Sequence, residues 1–216
     1  MGFEEAKNAV LDIARKNGSC IPGFKDAMNV DNFNQMVAIF KKYIAELLGR
    51  GMHSDDVFPF LEAHYEANAE EFQKQGLFYN CNADRGIVFI HNPKETIYVG
   101  GTSESYVYGK SEVDASGHAK VFAKEESIVH LREFSSGTFD GNAVGYLHDR
   151  SSGNAQGNNF IHTYDSSTLV AGGTSTVDAN GWQSITAIGD AEVYAHSPRK
   201  IYMNGNKKLN LKPLDE

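Results

Sequence analysis

The chain has 216 residues, 28 acidic and 20 basic side chains and a formal charge of −8, which bounds it at one large domain or two small ones. The acidic excess is spread evenly, 12 acidic and 8 basic side chains in residues 1–78 against 16 and 12 in 79–216, and an acidic chain without a basic stripe argues against direct nucleic-acid binding. Two cysteines far apart in sequence, Cys20 and Cys81, allow one bridge but not a disulfide framework, and fit free buried thiols in a reducing compartment better.

The N-terminus, Met1-Gly-Phe-Glu-Glu-Ala-Lys, begins an amphipathic helix instead of a secretory signal, and no apolar run approaches a membrane span. The expectation is a soluble cytoplasmic protein or a component of a phage particle, with no membrane partner. Residues 3–16 place Phe3, Ala6, Val10, Ile13 and Ala14 on one helical face, and Asn17-Gly18 stops that helix. A loop is predicted from Ser19 to Val30. Asp31 then caps a second helix whose stripe is Phe33, Met36, Val37, Phe40, Ile44, Leu47 and Leu48. Ser54 or Asp56 caps a third, with Phe58, Leu61, Tyr65 and Phe72 facing inward and Gly76 closing it; Pro59 is tolerable only in its first turn. These elements predict a three-helix bundle over residues 1–78, placed either to cap the C-terminal part of the chain or to dock a partner.

From Leu77 the period changes from helical to alternating. Tyr79 to Gly86 reads as an irregular unit, and His91-Asn92-Pro93 breaks the pattern. From Glu95 to Asn206, 112 residues divide into 14 units of eight without insertion, as in Ser111-Glu-Val-Asp-Ala-Ser-Gly-His and Ser175-Thr-Val-Asp-Ala-Asn-Gly-Trp. Ten first positions are Ser or Ala, ten third positions are aliphatic, all fifth positions but Thr163 are apolar, and nine seventh positions are Gly. Inward residues at one, three and five are the period of a strand with one buried face, and Gly or Asp at seven supplies the freedom for a corner.

Strand, corner and strand again predict a parallel β-solenoid over residues 79–216, in an α+β chain. Equal antiparallel hairpins are the competing arrangement. Two units per coil would give two facing sheets and three a triangular prism. The small inward residues favour two, because Ser, Ala and Val fill a three-sided interior poorly. Gly137, Gly145 and Gly153 interrupt the third position while Phe139 and Leu147 enlarge the fifth. Either the larger residues fill the space or the cross-section changes to form a groove. At the far end Lys207, Lys208, Lys212 and Pro213 would blunt the strand edge while Leu209 and Leu211 continue the inward pattern.

With two units per coil, outward fourth-position residues align in columns about 4.8 Å per step. One column holds Tyr98, Asp114, His130, Tyr146, His162, Asp178 and Tyr194; the other holds Tyr106, Phe122, Thr138, Asn154, Val170, Thr186 and Tyr202. Neighbouring carboxylate, imidazole and phenol groups suit acid–base chemistry. Outward aromatic residues, among them Tyr98, Tyr106, Tyr108, Phe122, Tyr146, Tyr164, Trp182, Tyr194 and Tyr202, mark binding surfaces more often than catalytic ones. Asp114 and Asp178 lie too far apart for glycan hydrolysis. The chain has no nucleophile elbow, phosphate loop, zinc-ligand spacing or unbroken threonine row, and no cofactor or metal is expected.

The units Ser-x-Val-x-Ala-x-Gly-x resemble the short-repeat β-solenoids of gut bacteria and their phages, and the lead-in Asp31-Asn-Phe-Asn with Phe40-Lys-Lys-Tyr-Ile-Ala-Glu looks like the front of such proteins. That resemblance implies architecture and carries no functional residues. The first functional expectation is a non-enzymatic interaction protein that presents aromatic and polar ladders to a protein partner, as a phage or mobile-element inhibitor of a host factor would, including one that mimics nucleic acid. Alternatives are a structural or carbohydrate-binding phage particle component and an enzyme using the Asp-His-Tyr column. Self-association through a solenoid face or end is a further expectation.

Overall fold

The computed structural model describes residues 2–16, 18, 21–49, 54–181, 183–195, 200–205 and 209–211. Two compact units share the chain, Met1–Tyr79 and Asn80–Glu216. Among the described residues, no helix is long and apolar enough to cross a membrane.

Among its described residues the first unit holds five α-helices where the sequence pattern predicts three: α1 (Phe3–Lys16), α2 (Ile21–Met28), α3 (Phe33–Gly49), α4 (Ser54–His64) and α5 (Ala69–Lys74). The predicted loop after residue 19 is largely α2. Pro22 sits in its first turn, where a missing N–H costs nothing, and Gly23 lets the helix approach Tyr43, whose ring would lie 3.0 Å from any Cβ there. The predicted third helix is two, α4 and α5, joined through a 3-10 turn at Glu66–Asn68, and Pro59 lies inside α4 beyond the first turn. The cap of α3 is Asn32 rather than Asp31. The Gln35 N–H donates to Asn32 Oδ1 at 2.9 Å, while Gln35 Oε1 accepts from the Asp31 N–H at 2.8 Å, a reciprocal pair that satisfies two backbone donors. Met36, Val37, Phe40 and Ile44 of α3 are buried, as are Phe58, Leu61, Tyr65 and Phe72. Leu47 and Leu48 lie outside the described side chains. Ring contacts of Phe40 with Phe60 at 5.1 Å and of Phe33 with Phe72 at 5.6 Å join α3 to α4 and α5.

The second unit is a parallel β-solenoid of about seven turns. Sheet A contains Ile87–His91, Glu104–Tyr108, Lys120–Ala123, Ser136–Phe139, Ser152–Ala155, Thr168–Ala171, Ser184–Gly189 and Ile201–Gly205; sheet B contains Ile97–Val99, Glu112–Ala115, Ile128–Leu131, Val144–Leu147, Phe160–Asp165, Thr176–Gly181, Glu192–Ala195 and Leu209–Leu211. Successive strands alternate between the sheets, so partners stand sixteen positions apart: Ser152 opposite Thr168, Val113 opposite Val129, Val177 opposite Val193. The first turn is one residue longer, with Ile87 opposite Glu104.

Val113, Val129, Ile161, Val177 and Val193 are fully buried, with Ala115, Ala155 and Ala195 beside them. First-position serines are also inside, and the hydroxyls of some of them fasten the corners. Ser103, Ser135 and Ser175 donate to the carbonyls of Gly100, Arg132 and Gly172 at 2.8, 2.7 and 2.6 Å, pairing groups that a corner would otherwise leave orphaned. At most described seventh positions the backbone turns left-handed, and at four of them an acid stands in place of glycine: Glu125 at φ 60°, Glu133 at 57°, Asp149 at 55° and Asp165 at 53°. The last three of these carboxylates accept from the backbone N–H groups of Gly117, Glu133 and Asp149 at 2.8, 3.0 and 3.1 Å, each one turn back. That charge-assisted bond offsets the strain that a non-glycine residue accepts there.

Gly137, Gly145 and Gly153 face a filled interior. A Cβ at Gly145 would meet Phe139 at 2.7 Å, one at Gly137 would meet Leu131 at 2.8 Å, and one at Gly153 would meet Leu147 at 2.8 Å. The ring and the two leucines therefore occupy the volume the glycines vacate. Outside, Gly137 and Gly153 line a shallow depression of about 240 Å³ on sheet A, bordered by Lys120, Phe122, Ser136, Thr138 and Asn154.

Candidate functional site

The outer face of sheet B gathers the most chemistry. Strand pairing sets Tyr98, Asp114, His130, Tyr146, His162, Asp178 and Tyr194 opposite one another in sequence along one column. Its centre is a continuous ring stack. His130 lies 4.6 Å from Tyr146 with planes 7° apart, and Tyr146 lies 4.8 Å from His162 with planes 5° apart. A second stack runs beside it, His148 on Tyr164 at 4.6 Å and 2°. On the other flank Ile128 and Phe160 are 37% and 42% exposed, with Val144 between them in register. Phe160 meets His162 edge-on at 4.7 Å.

The stacking distance equals the rung spacing of a parallel sheet. Ring faces are spent on their neighbours, and the rings present edges outward: imidazole nitrogens, phenol oxygens and C–H groups. Both ends of this patch are acidic, with Glu112 and Asp114 at one end and Asp178 and Glu192 at the other. Arg132 Nε donates to both Asp114 oxygens at 3.0 and 3.2 Å. Asp178 Oδ2 lies 3.3 Å from His162 Nδ1. At the column's ends Tyr98 is 58% exposed, and the Tyr194 hydroxyl donates to Glu192 at 3.1 Å.

The second predicted column is aligned as well, with Tyr106, Phe122, Thr138, Asn154, Val170, Thr186 and Tyr202 opposite one another in sequence on sheet A, but its rings do not form one continuous stack. On sheet A, Phe89, Tyr106 and Phe122 stack at 5.5 and 5.1 Å. Burial, with the Tyr106 hydroxyl donating to Glu104, pushes that phenol's ionisation far upward. Small residues then separate this stack from Tyr202, which is 64% exposed. Tyr108, expected on the surface, is buried: it sits at the sixth position, where the corner folds it down. Trp182 lies outside the described residues. Positions two and six, which carry no uniform pattern along the repeat, supply Ile128, Val144, Phe160, His148 and Tyr164. Their sixteen-residue spacing was the available signal.

Burial lowers the His148 imidazole below its ordinary 6.5, and the charge of Arg132 acts in the same direction. Burial also lowers His64 in α4, whose ring lies 4.8 Å from Phe60. Such a group takes up protons more readily in the unfolded chain. Its stability contribution is therefore complete above pH 6.5 and is lost as pH falls through the lower folded value. The expected result is a melting temperature that falls between about pH 7 and pH 5, partly flattened in His148→Phe, with a His148 NMR titration midpoint below that of a free imidazole. A midpoint at or above the free value contradicts the assigned burial.

Among the described residues, no group of three or more His, Cys, Asp or Glu side chains is arranged to hold a metal ion. Comparison of the chain with protein-family models, curated proteins and solved structures found no significant match.

Proposed function

We propose that the protein is a non-enzymatic interaction module and that the outer face of sheet B is its contact surface for a protein partner. The observation that carries this reading is the patch itself: exposed Ile128 and Phe160 beside a rigid stack of His130, Tyr146 and His162, bounded by acids. Apolar centres with polar rims and aromatic side chains are the composition of protein interfaces. Ring edges at fixed spacing recognise hydrogen-bonding groups, whereas sugar stacking needs free ring faces, which this column lacks at its centre. That weighs against a carbohydrate-binding particle component. The row of Glu133, Asp149 and Asp165 along one corner supports a narrower form, a phage or mobile-element inhibitor that occupies a basic groove of a host factor.

One observation favours catalytic use of the column instead, the 3.3 Å approach of Asp178 to His162 Nδ1, which would orient the imidazole as a base. Affinity capture from a host lysate separates the two readings. The interaction reading expects a defined protein retained by the full chain, lost from Tyr146→Ala with Phe160→Lys, and kept by Thr186→Lys on sheet A. Retention that ignores the sheet B variant sinks it. An activity abolished by His162→Ala in a folded chain establishes the alternative.

A further inference from the structure

Beside the column, the sixth positions of sheet B empty toward its N-terminal end. Arg132, His148 and Tyr164 fill them in three successive turns, while Gly100 and Ser116 leave them small in the two turns before. The result is a depression of about 340 Å³ bordered by Asn82, Asp84, Tyr98, Asp114 and Arg132, at the small end of the roughly 300–1,000 Å³ of ligand sites. We propose that this depression binds one neutral pyranoside ring, independently of the protein contact at the centre of sheet B.

Tyr98 supplies the platform. It is 58% exposed, and among the described residues no ring or cation lies against it, whereas both faces of Tyr146 are covered. A free aromatic face packs against the C–H face of a sugar. The groups around it keep unused hydrogen-bonding capacity. Asn82 Oδ1 accepts from the Tyr98 N–H at 2.8 Å, which orients the amide and leaves its NH2 to donate. Arg132 spends its Nε on Asp114, and neither of its Nη groups has a partner among the described residues. The Asp84 carboxylate leans over Gly100, where a Cβ would lie 2.6 Å from Asp84 Oδ1. Glycine at 100 is what leaves the carboxylate that place.

Charge selects the ligand. Two carboxylates against one guanidinium leave a net charge of −1 on the walls. An anion meets that excess and finds Arg132 already paired, and a cation meets Arg132 itself. A hydroxyl both donates and accepts, so it gives its proton to Asp84 or Asp114 and receives one from the guanidinium or the amide. A pyranose carries several hydroxyls around an apolar ring face, the complement of these walls and of Tyr98. The depression is open to solvent, and a ligand of about a dozen non-hydrogen atoms binds there with a dissociation constant of order 1 mM.

Amide NMR of the full chain, titrated to about 50 mM with the methyl glycosides of glucose, galactose, mannose and N-acetylglucosamine, tests the site. At least one glycoside is expected to give saturable shifts centred on Asn82, Tyr98 and Gly100. Tyr98→Ala weakens that binding about tenfold, and Tyr98→Phe retains it, because the ring face and not the hydroxyl makes the contact. Gly100→Ala weakens it as well, since the new methyl displaces the Asp84 carboxylate, and it gives the same reading should Tyr98→Ala fail to fold by circular dichroism. Tyr202→Ala, which removes a comparably exposed tyrosine from sheet A, leaves it unchanged. No saturable shift from any of the four glycosides, binding indifferent to both Tyr98→Ala and Gly100→Ala, or saturation of these residues by acetate or methylamine alone overturns the proposal. Tyr146→Ala lies outside the depression and keeps glycoside binding even where it abolishes protein capture, so the two readings fail on different results.

Discussion

Phe139→Ala lowers the stability of the solenoid by about 3–5 kcal/mol, the upper range for a single side-chain truncation. The ring is fully buried, and it fills interior volume left by neighbouring third-position glycines. Removing it opens a cavity between glycine backbone and the side chains of Leu131 and Ile161, which can collapse into it only in part. Gly145→Val is damaging for the opposite reason, since its Cβ alone would come within 2.7 Å of the ring. Together the two changes exchange volume across one contact. The double variant should recover part of the summed loss, a coupling of about 1–3 kcal/mol in a double-mutant cycle. Denaturant unfolding reads the three free energies. Hydrogen exchange at the flanking strands reads the same loss locally, because stacked repeats need not unfold as one unit. A Phe139→Ala cost under about 1 kcal/mol would mean the glycines are filled by something else.

Removing eight residues, Ser152–Asn159, abolishes binding through sheet B while leaving a folded solenoid. The strand Phe160–Asp165 then follows Val144–Leu147 directly and joins sheet A. His162 leaves Tyr146 and lies over Thr138 instead, so the ring stack is cut at its centre. Inward and outward residues are unchanged, because both sheets carry the same alternation. Removing sixteen residues, Thr168–Gln183, takes out one whole turn below the stack and returns every later strand to its own sheet. That variant keeps the ring stack and loses only Asp178 from the patch, so its binding is weakened and not abolished, and it loses about 1–2 kcal/mol of stability, one turn's share of a typical total. Circular dichroism with partner capture checks both. Retained binding after the eight-residue deletion contradicts the assignment of alternate strands to opposite sheets.

The parallel solenoid was legible because its cause is local: each strand repeats Val or Ile and Ala two positions apart, and any other face would put them in water. The helical unit was legible only in part. Its apolar stripes marked Val10, Phe40 and Phe72 as interior, but a short helix such as α2 has no long stripe, and Gly23 is small for a contact with Tyr43 that sequence does not display. The break between α4 and α5 falls at Asn68, whose backbone leaves the helical region at φ −134° and whose side-chain amide donates to the His64 carbonyl at 2.9 Å. In the candidate site, the column from Tyr98 to Tyr194 follows from spacing alone. Its flanks do not, because Ile128, Phe160 and His148 occupy positions where other turns carry polar residues, and only the pairing shows them side by side. The buried Tyr108 was misplaced for a related reason, since a sixth-position side chain can lie on either side of the corner.

Residues sixteen apart are rung neighbours on the same sheet, and the candidate site exists only because they are. Oxidative cross-linking probes that pairing without intermediaries, in a chain with Cys20→Ser and Cys81→Ser. Asn154→Cys paired with Val170→Cys places thiols on adjacent rungs, with Cα atoms about 4.8 Å apart and within the roughly 4.4–6.8 Å that a disulfide spans. Asn154→Cys paired with Thr186→Cys spans two rungs, about 9.6 Å, beyond that reach. Rapid, near-complete intramolecular bridging is expected of the first pair and none of the second; equal bridging of both, or of neither, would refute the rung pairing.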